Sequence, residues 1–332
     1  MKKNLIALAV LAASGVASAQ SSVTAYGLTD VWFGQTKTSA TGTASVKNTV
    51  LNSGGVATSR YGFKGTEDLG GGLKANFQLE QGFNLDTGAV QTAGSSFNRQ
   101  SWVGFSGGFG EVQLGKVWTS YDDIRSSAND TFNANISASF SAWDAYTDRT
   151  NNGLKYSSPV MGGLSGSITY ALGEDKAPGR DASSLLSLGG QFAQGPLFVG
   201  LAYQEEKTPA LKDTFMLVNA SYDLKVVKLI AGYNTVKTAV PRVADVKAKE
   251  YNFGVEAPLS ANLSLAGGYA YSKSEQSGRD ISKARGYSAA ALYSLSKRTT
   301  LYVAFNDTKV EAPQARTETK SQIYGLGVNH KF

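Results

Sequence analysis

The sequence feature that most constrains the fold is a repeated run of about ten residues in which apolar and polar side chains alternate. Residues 60–80 give the clearest example. Phe77 and Leu79 fall on one face there, whereas Lys74 and Glu80 fall on the other. Alternation of period two predicts β-strands with one apolar and one polar face. Because a glycine-rich turn divides the segment, it is predicted to be a hairpin.

Sixteen such runs follow one another, closed alternately by a very short turn and by a longer polar loop. This asymmetry is typical of transmembrane barrels, whose short turns face the periplasm and whose long loops face outwards. We therefore predict an all-β fold, a 16-stranded antiparallel transmembrane β-barrel. The predicted strands cover 22–36, 58–66, 72–83, 98–106, 110–118, 152–159, 163–173, 183–194, 197–207, 213–223, 226–237, 247–257, 262–274, 282–295, 298–308 and 321–332.

The C-terminal strand favours a barrel over a soluble sandwich, whose strands alternate in the same way. Tyr324, Leu326, Val328 and Phe332 share one face, and the aromatic Phe332 ends the chain. This ending resembles the recognition signal of barrel-assembly substrates, so Phe332 is the predicted assembly signal. Membrane helices are not predicted, because the longest uncharged stretch after the N-terminal segment, 182–204, is interrupted by turn residues.

The N-terminal segment predicts export. Lys2 and Lys3 precede an apolar stretch over residues 5–13, and small residues lead up to Ala19. These are the parts of a secretory signal peptide, so residues 1–19 are predicted to be removed between Ala19 and Gln20. Residues 20–332 are then one barrel domain.

Composition excludes several chemistries. The chain has no cysteine and one histidine, His330, two residues from its end, so ordinary Cys or His metal sites and a catalytic histidine are not predicted. Residues 110–116 imitate a phosphate-binding loop, but Val117 stands where Ser or Thr is required. The net charge of +6 is scattered and matches no nucleic-acid module. We predict no enzyme activity, no cofactor, no metal and no nucleic-acid partner.

Several segments resemble the general porins of β-proteobacteria, which are trimeric Gram-negative outer-membrane porins. The matching segments are SSVTAYGLTD (21–30), SRYGFKGTEDLGGGLKA (59–75), FSGGFGEVQLG (105–115), LSKRT (295–299) and the terminal HKF. The resemblance covers essentially the whole chain after the signal. It implies a homotrimer in the outer membrane, in contact with membrane lipids and the barrel-assembly machinery. Each barrel would pass small ions and hydrophilic solutes by passive diffusion.

The resemblance also implies that the third long loop folds into the lumen. Here that loop is about Thr119 to Asn151, and loops longer than 30 residues are uncommon unless they are functional. It carries five acidic residues, Asp122, Asp123, Asp130, Asp144 and Asp148. Acids on such a loop would face basic residues on the wall and create a transverse field.

The implied constriction residues are Arg60, Arg99 and Arg149 as wall bases, Glu80 as wall acid, and Asp122 or Asp123 as loop acid. Parity supports Arg60 and Glu80, because both fall on the polar face of their strands. Arg99 shares its side with Val103, so parity does not place it clearly. For each arginine, the alternative is a solvated charge at the rim or in a loop.

Basic rings favour anions, so we predict a mild anion preference, which the loop aspartates oppose. Two other functions stay open. A substrate-selective channel would share every feature above, and a structural or adhesive barrel would share the signal, the alternation and the terminal Phe. Adhesive barrels typically have fewer strands and a plugged interior, so the run of 16 strands favours a general diffusion pore.

Overall fold

A computed structural model describes residues 22–332, so the predicted signal peptide and its cleavage site at Ala19 and Gln20 lie outside the described residues. Within this range, 17 strands form one antiparallel sheet that closes on itself through β1 and β17. The strands are β1 (Ser22–Ala40), β2 (Val46–Ser53), β3 (Arg60–Gly70), β4 (Leu73–Gly82), β5 (Gln100–Gly107), β6 (Gly110–Trp118), β7 (Arg149–Ser157), β8 (Leu164–Leu172), β9 (Ser184–Gln194), β10 (Leu197–Lys207), β11 (Lys212–Asp223), β12 (Lys228–Ala239), β13 (Val246–Pro258), β14 (Leu263–Gln276), β15 (Arg279–Ser294), β16 (Thr299–Ala312) and β17 (Thr317–Lys331).

Two of these strands occupy one position in the barrel wall. β2 pairs with residues 31–38 of β1, and β3 pairs with residues 22–28 of the same strand. Residues 54–59 interrupt what is otherwise a single wall strand, so the barrel over residues 22–332 is 16-stranded, as predicted. The sequence prediction missed β2, because apolar residues stand on both faces of Val46–Ser53, as at Val50 and Leu51, and hide the alternation.

The connections differ between the two ends of the barrel. At one end the strands are joined by short turns, such as the turn at Gly70–Gly72, where all three glycines have positive φ. The same end holds the C-terminus, where the Phe332 N–H donates to the Gly27 carbonyl at 3.0 Å and the Gly27 N–H donates back to Phe332 at 3.0 Å. The Phe332 ring covers Gly27 so closely that a side chain at Gly27 would collide with it. The end with the short turns faces the periplasm.

The outer surface of the barrel is apolar. Leu201, Phe253, Val303 and Leu326 are each between 56% and 60% exposed, and they alternate with less exposed residues that point inwards. An apolar band of this extent is the lipid-facing surface of a transmembrane barrel. Among residues 22–332, no helix is long and apolar enough to cross a membrane.

The apolar core lies inside the lumen, where the loop between β6 and β7 folds inwards. This loop contains α1 (Ser120–Ser127), a 3-10 turn (Thr131–Asn133) and α2 (Ala138–Ala142). Its buried Tyr121, Ile124 and Trp143 pack against Phe215 and Leu217 of the barrel wall. The inward loop was therefore predicted correctly, and it ends three residues earlier than expected, where β7 begins at Arg149.

Candidate pore constriction

The inward loop is fastened to one wall of the barrel. α1 lies against β8–β11, and α2 lies against β13–β16. The Asn219 amide donates to the Ile124 carbonyl at 2.7 Å, and the Tyr121 hydroxyl donates to Asn234 at 2.9 Å. Because these wall residues are buried and meet backbone or hydroxyl groups of α1, they fix its position across the lumen.

Asp130 holds the middle of the loop. Its carboxylate accepts the backbone N–H groups of Ala138 at 2.8 Å and Ser139 at 3.2 Å, and the hydroxyl of Ser288 on β15 at 3.0 Å. The residue is fully buried. Charge-assisted hydrogen bonds of this kind are among the strongest in proteins. Asp130, one of the five loop acids, therefore anchors the loop and does not border the constriction cavity.

Three glycines on the wall make room for this anchor. Gly254, Gly268 and Gly286 lie on β13, β14 and β15. A Cβ on Gly268 would stand 2.3 Å from the Asp130 Oδ1, and a Cβ on Gly286 would stand 2.8 Å from the Ala138 carbonyl oxygen. The wall is thus recessed where the loop approaches it most closely.

Carboxylates of the same wall hold the rest of the loop. Each accepts a backbone N–H: Thr147 donates to Glu206 at 2.7 Å, Asp144 to Glu250 at 2.6 Å, and Phe132 to Glu256 at 2.8 Å. Glu250 is fully buried. These acids stand on the lumen face of their strands, where the sequence analysis expects polar side chains to contact water and not the loop.

The opposite wall carries the predicted bases around Glu80. The Arg99 Nε lies 2.7 Å from the Glu80 Oε1, and the Arg60 Nε lies 3.5 Å from the Oε2. The Tyr26 hydroxyl also donates to the Oε2, at 3.0 Å. One buried carboxylate thus holds two guanidinium groups side by side, and the structure brings together these three predicted residues.

Arg99 points into the lumen although its sequence parity is ambiguous. The strand β5 begins at Gln100, so Arg99 precedes the regular strand and is not bound by the alternation that places Val103 on the outer face. Its guanidinium lies 5.7 Å from the ring centroid of Trp118. Arg149 lies over the same ring at 3.7 Å. The Trp118 ring therefore contacts both Arg99 and Arg149 and brings them into one group.

The loop acids face this group. Asp122 and Asp123 lie in the first turn of α1. The Asp123 Oδ2 pairs with the Lys155 Nζ at 2.5 Å, and the Tyr146 hydroxyl donates to the Asp122 carboxylate. Burial raises the pKa of Asp122 to about 6; the hydrogen bond from Tyr146 lowers it, and the nearby Asp148 carboxylate raises it. Burial also raises the pKa of Asp123, whereas Lys155 opposes the shift.

Arg125 is a cation of the site that the sequence analysis missed. Its guanidinium lies 5.1 Å, 5.3 Å and 4.6 Å from the ring centroids of Phe140, Trp143 and Tyr146. Its Nη2 also donates to the Ser139 carbonyl at 3.2 Å. These aromatic faces come from elsewhere in the loop and stabilise the charge, and no carboxylate among residues 22–332 lies within 4.0 Å of the guanidinium. The only sequence signal was a basic residue among several aromatic ones, which does not specify a pore.

These groups surround one cavity of about 860 Å³. Its lining includes four arginines and four aspartates: Arg60, Arg99, Arg125, Arg149, Asp122, Asp123, Asp144 and Asp148. Glu80 is 4% exposed and lies behind the first two arginines. Three of the arginines thus lie on the wall, whereas the four aspartates and Arg125 lie on the loop.

Residues 54–59, between β2 and β3, complete the rim. Asp30 on β1 is fully buried and accepts the Gly55 N–H and the Tyr302 hydroxyl, each at 2.7 Å, and the Asn329 amide at 2.9 Å. This carboxylate holds residues 54–59 inside the barrel, where part of the segment lines the cavity beside the loop, and the Asn135 N–H of the loop donates to the Val56 carbonyl at 3.1 Å. The sequence analysis left residues 37–57 as a connection between two predicted strands, so it did not identify this second constriction element.

Comparisons with known proteins agree with the fold. A family model described as Gram-negative porin matches residues 6–313. Outer membrane porin protein 32 of Delftia acidovorans is 37% identical over 91% of this chain and 88% of its own length. An outer membrane porin protein of Bordetella pertussis is 30% identical over the full length of both chains.

Two solved structures place the same architecture in other bacteria. The anion-selective porin from Comamonas acidovorans superposes with a TM-score of 0.80 at 29% identity, over 94% of this chain and all of that chain. The trimer form of OmpT from Vibrio cholerae has a TM-score of 0.72 at 14% identity, over 94% of this chain and 99% of that chain. The second likeness supports the fold alone.

Proposed function

The chain belongs to the Gram-negative porin family and is a general porin of the bacterial outer membrane, and we propose that it is mildly anion-selective through the constriction described above. It is a channel and not an enzyme. We infer that the constriction residues are Arg60, Arg99, Arg149, Glu80, Asp122 and Asp123, with Arg125 added to the predicted set. Solutes cross down their own gradients, limited by the size and charge of the cavity.

The observation that carries this proposal is the placement of the arginines on the wall that the loop leaves open. Arg60, Arg99 and Arg149 border the cavity directly, whereas their carboxylate partner Glu80 is buried behind the first two. Arg149 differs, because its Nη1 lies 3.1 Å from the Oδ2 of Asp148, which also lines the cavity. A permeating anion therefore meets the guanidinium groups of Arg60 and Arg99 before it meets their carboxylate partner. Positive groups lining a pore attract anions and repel cations, and solvent and salt limit the effect to about 10 Å at 0.1 M.

Two further features support a small excess of positive potential. Lys155 on β7 pairs with Asp123 of the loop and offsets its charge, and Asp122, whose pKa burial raises to about 6, loses its charge as the pH falls below neutral. Towards the periplasm, a second cavity is lined by Lys64 and Lys74 against the single acid Glu111. Because cations and acids nearly balance in the main cavity, the preference is mild.

We further propose that the native form is a homotrimer and that Phe332 serves as its signal to the barrel-assembly machinery. The family and the trimeric form of a structural neighbour support the first inference. The apolar strand face that ends at Phe332, and its contact with Gly27, support the second. Removal of the segment before Gln20 stays a prediction.

The test is the reversal potential of the purified trimer in a planar bilayer under a KCl gradient. Arg60→Ser, Arg99→Ser and Arg149→Ser should each lower the anion-to-cation permeability ratio, by up to about fivefold for the loss of about 1 kcal/mol of Coulomb energy. Arg298→Ser, in an exposed periplasmic turn, is the matched control and should leave the ratio unchanged. A wild-type ratio that favours cations would refute the anion preference.

A further inference from the structure

The outer surface of the barrel carries an aligned group of cations near its extracellular end. Lys249, Lys273 and Lys283 stand directly opposite one another on β13, β14 and β15. Arg285, two residues from Lys283, stands directly opposite Lys309 on β16. They share the outward parity of Tyr251, Tyr271 and Tyr287 on β13 to β15 and of the exposed Phe305 on β16.

Tyrosines continue the same cross-strand row. Tyr233, Tyr251, Tyr271 and Arg285 occupy consecutive paired positions on β12 to β15. The ring centroids of Tyr233 and Tyr251 lie 5.1 Å apart, and those of Tyr251 and Tyr271 lie 6.5 Å apart. Aromatic girdles mark the level of the lipid headgroups on transmembrane barrels. The cations therefore stand at or just above that level.

Like charges directly opposite each other destabilise a sheet unless something neutralises them. Most of the patch has internal partners: Lys273 pairs with Glu275 at 2.7 Å and Asp280 at 2.9 Å, Lys283 with Asp280 at 2.8 Å, and Lys309 with Glu311 at 3.1 Å and Glu318 at 2.8 Å. Within residues 22–332, Lys249 and Arg285 have no ion pair within 4.0 Å, and both are exposed. They remain as cations without a counter-charge.

We propose that Lys249 and Arg285 bind phosphate groups of the lipids in the outer leaflet, with the rings of Tyr251 and Tyr271 packed at the boundary between headgroup and acyl chain. Charge complementarity identifies this occupant, because each Lys or Arg near a membrane surface attracts anionic lipid by about 1 kcal/mol. Arg285 offers a planar fork that suits a phosphate, and Lys249 offers a point charge. The proposal is independent of the ion preference of the pore.

The experiment measures lipid retention by native mass spectrometry of the refolded trimer in detergent. The probes are diphosphoryl lipid A and the same lipid without its phosphates. The double variant Lys249→Gln/Arg285→Gln is compared with Lys297→Gln/Arg298→Gln, which removes two exposed cations from a periplasmic turn. A bilayer recording of each variant checks that the barrel is folded and conducting.

We expect the wild type and the periplasmic control to retain the diphosphoryl lipid equally well. The Lys249→Gln/Arg285→Gln variant should bind it about 30-fold more weakly, which corresponds to about 2 kcal/mol for two cations. The dephosphorylated lipid should bind all three proteins weakly. Equal binding by both double variants, or equal binding of both lipids, would overturn the proposal. Dissociation of the trimer in the Lys249→Gln/Arg285→Gln variant alone would assign this face to a subunit contact instead.

Discussion

The two walls of the lumen use the same kinds of residue in opposite ways. On the wall from β8 to β16, the carboxylates of Glu206, Glu250 and Glu256 accept backbone N–H groups of the loop. On the wall formed by β3 to β5, the carboxylate of Glu80 orients two arginines that face the cavity. The carboxylates of the first wall thus fix the position of the loop, whereas the carboxylate of the second wall directs two guanidinium groups towards the water-filled cavity.

The difference follows from what each wall meets. A buried carboxylate costs free energy unless donors satisfy it, and the unpaired backbone groups of an irregular loop supply such donors. A carboxylate beside two guanidinium groups at a water-filled cavity is satisfied by charge. The same lumen-facing position is therefore a loop anchor or an electrostatic element, depending on whether the loop covers it.

Filling the recess under the loop should produce the largest effect. In Gly268→Ala the new methyl group would stand 2.3 Å from the Asp130 Oδ1, so either the anchor or the wall must shift. Overpacking of this kind costs roughly 1–3 kcal/mol. We expect a lower free energy of unfolding in guanidinium titration, together with a larger and noisier single-channel conductance as the loop loosens.

The neighbouring Gly267→Ala is the matched control. Gly267 lies on the same strand but on the outer face, where a Cβ would come no closer than 3.9 Å to the Ser288 carbonyl oxygen. Its effect on the free energy of unfolding should stay below about 1 kcal/mol, in the stabilising direction expected when glycine is replaced by alanine at a compatible position. Equal behaviour of the two variants would show that the loop does not depend on this recess.

Neutralising one acid on each wall tests the comparison directly. Glu80→Gln removes the charge that pairs with Arg60 and Arg99, so the anion-to-cation permeability ratio should rise, by up to about fivefold. Glu250→Gln removes the same charge beneath the loop and presents an amide where Asp144 and Asn234 donate. It should instead lower the free energy of unfolding by roughly 1–3 kcal/mol.

Reversal potentials and guanidinium titrations of both variants distinguish the two roles. If the Glu250→Gln variant shifts the permeability ratio as strongly as Glu80→Gln while its stability is unchanged, the distinction between an anchoring and an electrostatic wall is wrong.

The sequence predicted the parts of this molecule that depend on local alternation. The 16-stranded barrel and the inward positions of Arg60 and Glu80 follow from period two and from the lengths of the connections. The inward loop was implied by the resemblance to porins, and its length supports it. Parity failed at Arg99, because that residue stands just outside β5, where the backbone no longer alternates. It also failed at β2, where residues of both kinds lie on each face.

The contacts that anchor the loop could not be predicted from local sequence patterns. Asp130 and Ser288 are 158 residues apart in the chain, and Tyr121 and Asn234 are 113 apart. A lone acid or amide on the lumen face of a strand looks the same in the sequence whether water or a loop covers it. Arg125 was missed for a related reason, since its three aromatic neighbours meet only when the loop is folded.

The smallest expected effect is a pH dependence of selectivity that belongs to the loop side. Because the pKa of Asp122 is raised to about 6, its carboxyl group binds a proton as the pH falls from 7 to 5 and loses a negative charge. The charge balance of the cavity then becomes more positive, and the anion-to-cation permeability ratio should increase over this interval. In Asp122→Asn the carboxyl group is absent, so the ratio should already be high at pH 7 and should change less between pH 7 and 5. A full pH response in Asp122→Asn would assign the titration to another group and leave Asp122 without a measurable part in the pH dependence of selectivity.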